Sequence, residues 1–157
     1  MKNQAKHDSK YYDLSWDSKI ENLYHIAQGL YSIHQVQLVH KDFHSGNIVN
    51  ENFYYSYITD FGLCKPISQV SNSNELFAYV APELLRASTN GDSIVYTQKS
   101  DIFSYRIIIS EIFNGYPPYY NIPHDLGGQR PKIKCEVPQL LLDLMNRCLD
   151  DKPKNRC

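Results

Sequence analysis

Apolar positions near the start of the chain recur with a helical period. Ile20, Leu23, Ala27 and Leu30, continued by His34 and flanked by Ile26 and Ile33, repeat about every 3.6 residues and predict an amphipathic helix. Ser15 stands where its hydroxyl can cap that helix, with Trp16 and Asp17 in the first turn. Residues 1–14 before it read as a polar lead-in. Leu38-Val39 reads as a short strand stub, and Ile48-Val49 and Tyr55–Thr59 bracket the polar Asn50-Glu51-Asn52 as a hairpin would. From Gly62 to Asn74, Ser and Asn accumulate without periodicity and predict a loop. Pro82 suits the first turn of a helix through Leu84 and Leu85, and Ala87–Val95, with Asn90-Gly91-Asp92 inside it, reads as a loop. Ser100 opens the next helix, in which Ile102, Phe103, Tyr105, Ile107–Ile109, Ile112 and Phe113 are apolar nearly all round. Such a helix is buried on most sides and predicts the centre of the domain. Asn114-Gly115 ends it and Pro117-Pro118 forbid its continuation. Pro123 to Pro138 is irregular, and Leu140, Leu141, Leu144, Met145, Cys148 and Leu149 make a last amphipathic helix. The sum is a mainly α domain with small β-hairpins.

Composition allows such a core. At 157 residues, 42% apolar and 21% charged, the chain has the make-up of one globular domain. Sixteen Lys and Arg against seventeen Asp and Glu leave a net charge of -1, so no basic field recruits nucleic acid or an anionic membrane. The longest purely aliphatic run, Ile107–Ile109, spans no bilayer, and the first residues lack an apolar signal segment. These features predict a cytoplasmic protein with neither nucleic-acid nor membrane partners. Cys64, Cys135, Cys148 and Cys157 are widely spaced and read as reduced thiols, with a reactive Cys64 as the alternative. Tyr11-Tyr12, Tyr54-Tyr55, Tyr57, Tyr116 and Tyr119-Tyr120 cluster at element edges, where an apolar ring with a wet hydroxyl fits; phosphorylation or stacking is the alternative.

The chemistry concentrates in Val39-His40-Lys41-Asp42-Phe43-His44-Ser45-Gly46-Asn47-Ile48-Val49, followed by Ile58-Thr59-Asp60-Phe61-Gly62-Leu63. Asp42 and Asn47 share one loop, and the hairpin between them and Asp60 returns the chain to its start. Two carboxylates and a carboxamide then converge as hard oxygen ligands for Mg²⁺, with one carboxylate left to orient a hydroxyl. Phosphoryl transfer needs that set, because positioning and metal charge stabilise its transition state.

This block resembles the H-R-D-L-x-x-x-N catalytic loop and the D-F-G metal motif of eukaryotic protein kinases. Ala81-Pro82-Glu83 matches the A-P-E that closes the activation segment, and Ser100–Ser104 is similar to the start of the family's buried central helix. Arg130-Pro131 and Arg147-Cys148-Leu149-Asp150, followed by Pro153–Arg156, resemble the last elements of the large lobe. The resemblance implies a protein-kinase-like fold with residues 15–157 as a partial C-terminal lobe, ATP and Mg²⁺ as cofactors, and a protein substrate or partner. It implies Asp42 as catalytic base or hydroxyl-orienting residue, Asn47 as a second metal ligand and Asp60 as the main Mg²⁺ ligand, with Val49 under the adenine. It further implies that His40 and Phe61 stack, that Asp101 holds the catalytic-loop backbone, and that Glu83 pairs with Arg156. A simple helix cap is the alternative for Asp101.

Departures from the pattern shape the functional expectation. No G-x-G-x-x-G and no V-A-I-K occurs, so the sequence reads as a large lobe with the N-lobe absent and the last helix truncated. Lys41 replaces an Arg and loses its bidentate fork, and Glu75 and Ala78 stand where small and Pro residues are usual. Arg106 lies inside the buried helix, where a guanidinium must find a partner or strain the packing. Asn121–Arg130 looks shortened, and Ala87–Val95 looks like a compensating insertion. His44-Ser45-Gly46 resembles the tyrosine-kinase-like group, whose members mostly modify Ser or Thr. Ser68, Ser71 and Ser73 are candidate phosphoacceptors or ordinary loop serines. The expected function is phosphoryl transfer from ATP to protein Ser/Thr, or Tyr. The alternative is an inactive kinase-like lobe that serves as a protein-binding module, or a fragment.

Overall fold

Helix α1 (Trp16–Gln35) starts where its capping hydroxyl stands, with Ser15 Oγ accepting from the Ser18 amide at 3.1 Å. The computed structural model to which it belongs describes residues 10–51, 54–61, 77–118 and 136–156. One face of α1 buries Leu23, Ile26, Leu30 and Ile33, while Ile20 at the edge of the stripe stays exposed. The same face buries Asn22. Its amide donates to the Ser18 carbonyl at 2.7 Å, and its Oδ1 accepts from Asn50 at 3.0 Å and from Ser56. These bonds fasten α1 to an antiparallel hairpin of β1 (Ile48–Glu51) and β2 (Tyr55–Ile58), in which Ile48 faces Ile58 and Val49 faces Tyr57. Strand alternation turns Ile48, Ser56 and Ile58 inward and leaves Val49, Tyr55 and Tyr57 exposed. The strand stub expected at Leu38-Val39 is irregular backbone instead, with Leu38 59% exposed and nothing there for a ladder to bury.

The second half is helical. Helix α2 (Pro82–Asn90) runs through part of the loop expected from Ala87, because Gly91 supplies the left-handed stop only later. Helix α3 (Gln98–Asn114) begins at Gln98 rather than Ser100. Thr97 is its N-cap, and Ser100 completes a capping box in which each side chain accepts from the other's amide. As the apolar pattern predicts, α3 is buried, with Phe103, Ile107, Ile108, Ile109, Ile112 and Phe113 all in the core. Helix α1, helix α4 (Gln139–Cys148) and a short turn at Pro153–Asn155 pack against it. Helix α4 contributes a narrower face than expected, since Met145 and Cys148 are buried but Leu140 is 80% exposed.

The expected polar lead-in needs shortening, because Tyr11 is fully buried and Leu14 packs against the same core. Tyr11 and Tyr79 are buried and Tyr105 is partly buried against the core, while Tyr12, Tyr24, Tyr31, Tyr54, Tyr55 and Tyr57 are half exposed or more. The Gly62–Asn74 loop, Glu75, Cys64, Cys135, Cys157, the three candidate phosphoacceptor serines and Asn121–Arg130 lie outside the described residues. No helix among the described residues is long and apolar enough to cross a membrane. Together these elements make a mainly helical fold with one small antiparallel sheet.

Two glycines test whether residues 10–14 belong to the packed unit. Gly91 and Gly115 share a φ of 74°, yet an added Cβ meets nothing at Gly91 and lies 3.0 Å from the Tyr12 Cα at Gly115. Gly91→Ala is expected to cost about 1 kcal/mol and Gly115→Ala about 2–3 kcal/mol, since only the second must push backbone aside. Equal losses in urea unfolding would contradict the packing of residue 12.

A second expectation follows from the phenols. Burial raises those of Tyr11, Tyr79 and Tyr105 above the ordinary value, with the Glu111 charge adding to the first two. Above about pH 10 the unfolded chain releases phenolic protons that the folded chain keeps, so stability falls as pH rises. Lys10 works in the opposite direction, because burial lowers its ammonium. Three groups outweigh one. The urea midpoint is expected to fall between about pH 9 and about pH 11, less steeply in Tyr105→Phe. A midpoint that rises over that range would contradict the burial of these rings.

Candidate active site

The site is organised by a buried carboxylate. Asp101, in the first turns of α3, is 2% exposed. Its Oδ2 accepts from the His40 amide at 2.8 Å, its Oδ1 accepts from the Lys41 amide at 3.2 Å, and His34 Nε2 lies 3.0 Å from Oδ2. The positive end of the α3 dipole favours the anion there. Lys41 has a φ of 71°, a left-handed conformation that costs an L-residue about 1–2 kcal/mol. Two hydrogen bonds to a charged acceptor, each worth about 1.5–3 kcal/mol, offset that strain. The chain therefore turns sharply at Lys41 and delivers Asp42 from a fixed backbone.

Asp42 is held within its own loop. The Asn47 amide donates to the Asp42 carbonyl at 2.8 Å and to its Oδ2 at 3.3 Å. With its N–H groups so committed, the carboxamide oxygen is the Asn47 atom that can meet a cation. His44 Nε2 lies 3.6 Å from the other carboxylate oxygen, Asp42 Oδ1, and His44 Nδ1 accepts from the Gly46 amide at 3.1 Å. Burial lowers the His44 imidazole below its ordinary value, and the Asp42 charge partly opposes this. A neutral ring that accepts at Nδ1 carries its proton on Nε2, toward Asp42. An added Cβ at residue 46 would stand 2.8 Å from that ring, so glycine there is what makes room for it.

Thr59 brings the hairpin back to the loop. Its amide and hydroxyl both donate to the Asn47 carbonyl, at 2.9 and 3.1 Å, and its own carbonyl lies 2.9 Å from His40 Nε2. Asp60 follows at once, exposed and with a left-handed φ of 59°. His40 is 1% exposed, and its ring lies 5.3 Å from Phe43 and 5.7 Å from Phe61, which is itself 61% exposed. Val49 stands on the outer face of β1 opposite Tyr57, half exposed. Among the described residues no three His, Cys, Asp or Glu side chains are grouped to hold a metal. A cation here would depend on the mixed set of the Asp60 carboxylate and the Asn47 carboxamide oxygen. Both are hard donors of the kind Mg²⁺ takes.

A second polar centre ties the last described residues to the middle of the chain. Arg156 grips Glu83 through two parallel bonds of 2.6 and 2.7 Å, donates to the Asp150 and Lys99 carbonyls, and lies over the Phe103 ring. Arg106, flagged by the sequence as needing a partner inside α3, donates to Ser110 one turn on. The sequence gives no warning of Asn22, Lys10, Ser45 or Tyr79 as structural residues. Glu111 had one available signal, a carboxylate on a helix that is otherwise buried all round.

Similarity to known proteins agrees with this arrangement. The family described as protein tyrosine and serine/threonine kinase matches residues 5–157. The RGS domain-containing serine/threonine-protein kinase A of Dictyostelium discoideum is 29% identical over 150 residues, which is 92% of this chain and 13% of that protein. Dual specificity testis-specific protein kinase 2 of Homo sapiens is 37% identical over 158 residues, 91% of this chain and 27% of that protein. A protein kinase and PP2C-like domain-containing protein of Arabidopsis thaliana is 26% identical over 176 residues, 84% of this chain and 26% of that protein. The chain thus spans about a quarter or less of the length of these relatives. With the match running through the loop, the hairpin and the buried helix alike, the chain belongs to the protein tyrosine and serine/threonine kinase family.

Proposed function

We propose that the chain forms the C-terminal lobe of a kinase of the tyrosine-kinase-like group, serving ATP- and Mg²⁺-dependent phosphoryl transfer to Ser or Thr of a protein substrate. The observation that carries this reading is the joint anchoring of Asp42, Asn47 and the Thr59-Asp60 step on one loop held by Asp101. Asp42, its carboxylate held by Asn47 and faced by His44, orients the acceptor hydroxyl and receives its proton. Asn47 and Asp60 hold the metal, and Val49 lies under the adenine. Mg·ATP supplies, when bound, the transferable phosphoryl group and the charge that stabilises its transfer. Asp101 positions the loop, the His40 and Phe61 rings stack beside it, and the Glu83–Arg156 pair braces the segment that ends in Ala81-Pro82-Glu83. Preference for Ser/Thr is supported by His44-Ser45-Gly46 and by the names of the Dictyostelium relatives.

A thermal unfolding scan with and without millimolar Mg·ATP tests this directly, beside Asp60→Asn. Nucleotide at a hundred times its Kd stabilises the folded state by about 2.7 kcal/mol, or several degrees for a chain of this size. The expected result is a shift in the wild type that Asp60→Asn abolishes. A wild-type chain that unfolds cooperatively and shows no shift would contradict nucleotide binding by this lobe.

A further inference from the structure

Lys10 lies in a stretch that the sequence marks only as polar, yet it reaches the catalytic loop. Its ammonium donates to the Ser45 carbonyl at 2.9 Å and to the Ile48 carbonyl. Those two carbonyls flank Asn47. The turn between them, Ser45–Asn47, is a three-residue 3₁₀ segment closed by the Ile48 amide on the Ser45 carbonyl. Turns that short have poor hydrogen-bond geometry and hold their shape through outside contacts. Ser45 is fastened a second time, because its hydroxyl lies 3.1 Å from the Tyr79 hydroxyl, which donates to Glu111 of α3. Glu111 is 4% exposed and Tyr79 7%. A carboxylate buried to that degree requires donors and positive charge nearby. The Glu111 charge acts on the Lys10 ammonium, opposing the downward pull of burial. Lys10 also lies 5.2 Å from the centre of the Tyr11 ring, and that fully buried ring anchors the segment.

We propose that Lys10 is a positioning residue whose ammonium clamps the Ser45–Ile48 backbone, with buried Glu111 holding Ser45 through Tyr79, and so sets where Asn47 presents its oxygen to the metal. The part concerning the metal rests on the phosphoryl-transfer reading; the clamp does not. A compact ammonium suits this task, since it can bridge two carbonyls that diverge, whereas a planar guanidinium fits parallel acceptors better.

The test begins with amide hydrogen exchange of the full chain without nucleotide, comparing wild type, Lys10→Met and Lys10→Arg. Lys10→Met is expected to speed exchange at Asn47 and Ile48 by about tenfold while Ile107–Ile109 of α3 stay protected, and Lys10→Arg to recover part of the loss. Unchanged protection at those loop amides in Lys10→Met overturns the clamp. Tyr79→Phe, which cuts Ser45 from Glu111 and keeps the ammonium, serves where Lys10→Met does not fold. It is expected to speed the same amides by about threefold, and no change there overturns the network. The second stage titrates Mg²⁺ at saturating ATP and reads the thermal shift. The Mg²⁺ needed for the half-maximal shift is expected to rise about fivefold in Lys10→Met. Faster loop exchange with an unchanged Mg²⁺ requirement overturns the positioning role. A wild type that ignores Mg·ATP while its variants show the exchange pattern overturns the phosphoryl-transfer reading and leaves the clamp standing.

Discussion

Two backbone amides on one buried carboxylate fix the geometry from which everything else in the site follows. Asp101 takes the amides of His40 and Lys41 at the point where Lys41 adopts its left-handed turn. Without those bonds the turn has nothing to offset its strain, and an extended Lys41 would carry Asp42 elsewhere. Asp101 can act this way because α3 is buried on most sides and cannot retreat from the loop. The apolar residues of α3 make it rigid, and its few polar ones are used as handles. Asp101 holds the loop at His40 and Lys41, Ser104 donates to the Tyr79 carbonyl at 2.7 Å, and Glu111 receives the Tyr79 hydroxyl.

The loop is thus supported from several directions at once. Thr59 holds Asn47 from the hairpin side, Asp101 holds His40 and Lys41 from below, and Lys10 holds the carbonyls on either side of Asn47 from the start of the chain. Lys41 and Asp60, each with a left-handed backbone, lie next to such an anchor. Strain of this kind persists only where the surroundings over-determine it, and functional loops are where it concentrates.

Much of this was legible in the residues and some of it was not. The buried helix was legible because Ile107, Ile108 and Ile109 leave it no polar face. The hairpin was legible from alternation, and the cap at Ser15 from its hydroxyl. Boundaries that depend on one left-handed residue were missed, so α2 runs through Ala87 to Asn90 and stops only at Gly91. Helix α3 starts at Gln98 because Thr97 outcompetes Ser100 as the cap, a contest between neighbouring hydroxyls that spacing cannot decide. Asp42, Asn47 and Asp60 stood out because they share motifs with known spacing. Lys10 and Asn22 carried no pattern, since their roles rest on contacts with residues far along the chain. Lys41 gave a chemical signal, a missing guanidinium, and no hint of its backbone conformation.

The measurement that bears most directly on the account is the unfolding free energy of Asp101→Ala against wild type in urea. If the carboxylate holds the loop, its removal strands the buried His40 amide and the part-buried Lys41 amide and releases the strained turn, and the loss is about 3–5 kcal/mol. If Asp101 merely favours the start of α3, as any acidic residue in a first turn does, the loss stays at about 1 kcal/mol or less. The larger value is the one predicted here, and the smaller would mean that the loop keeps its shape for some other reason.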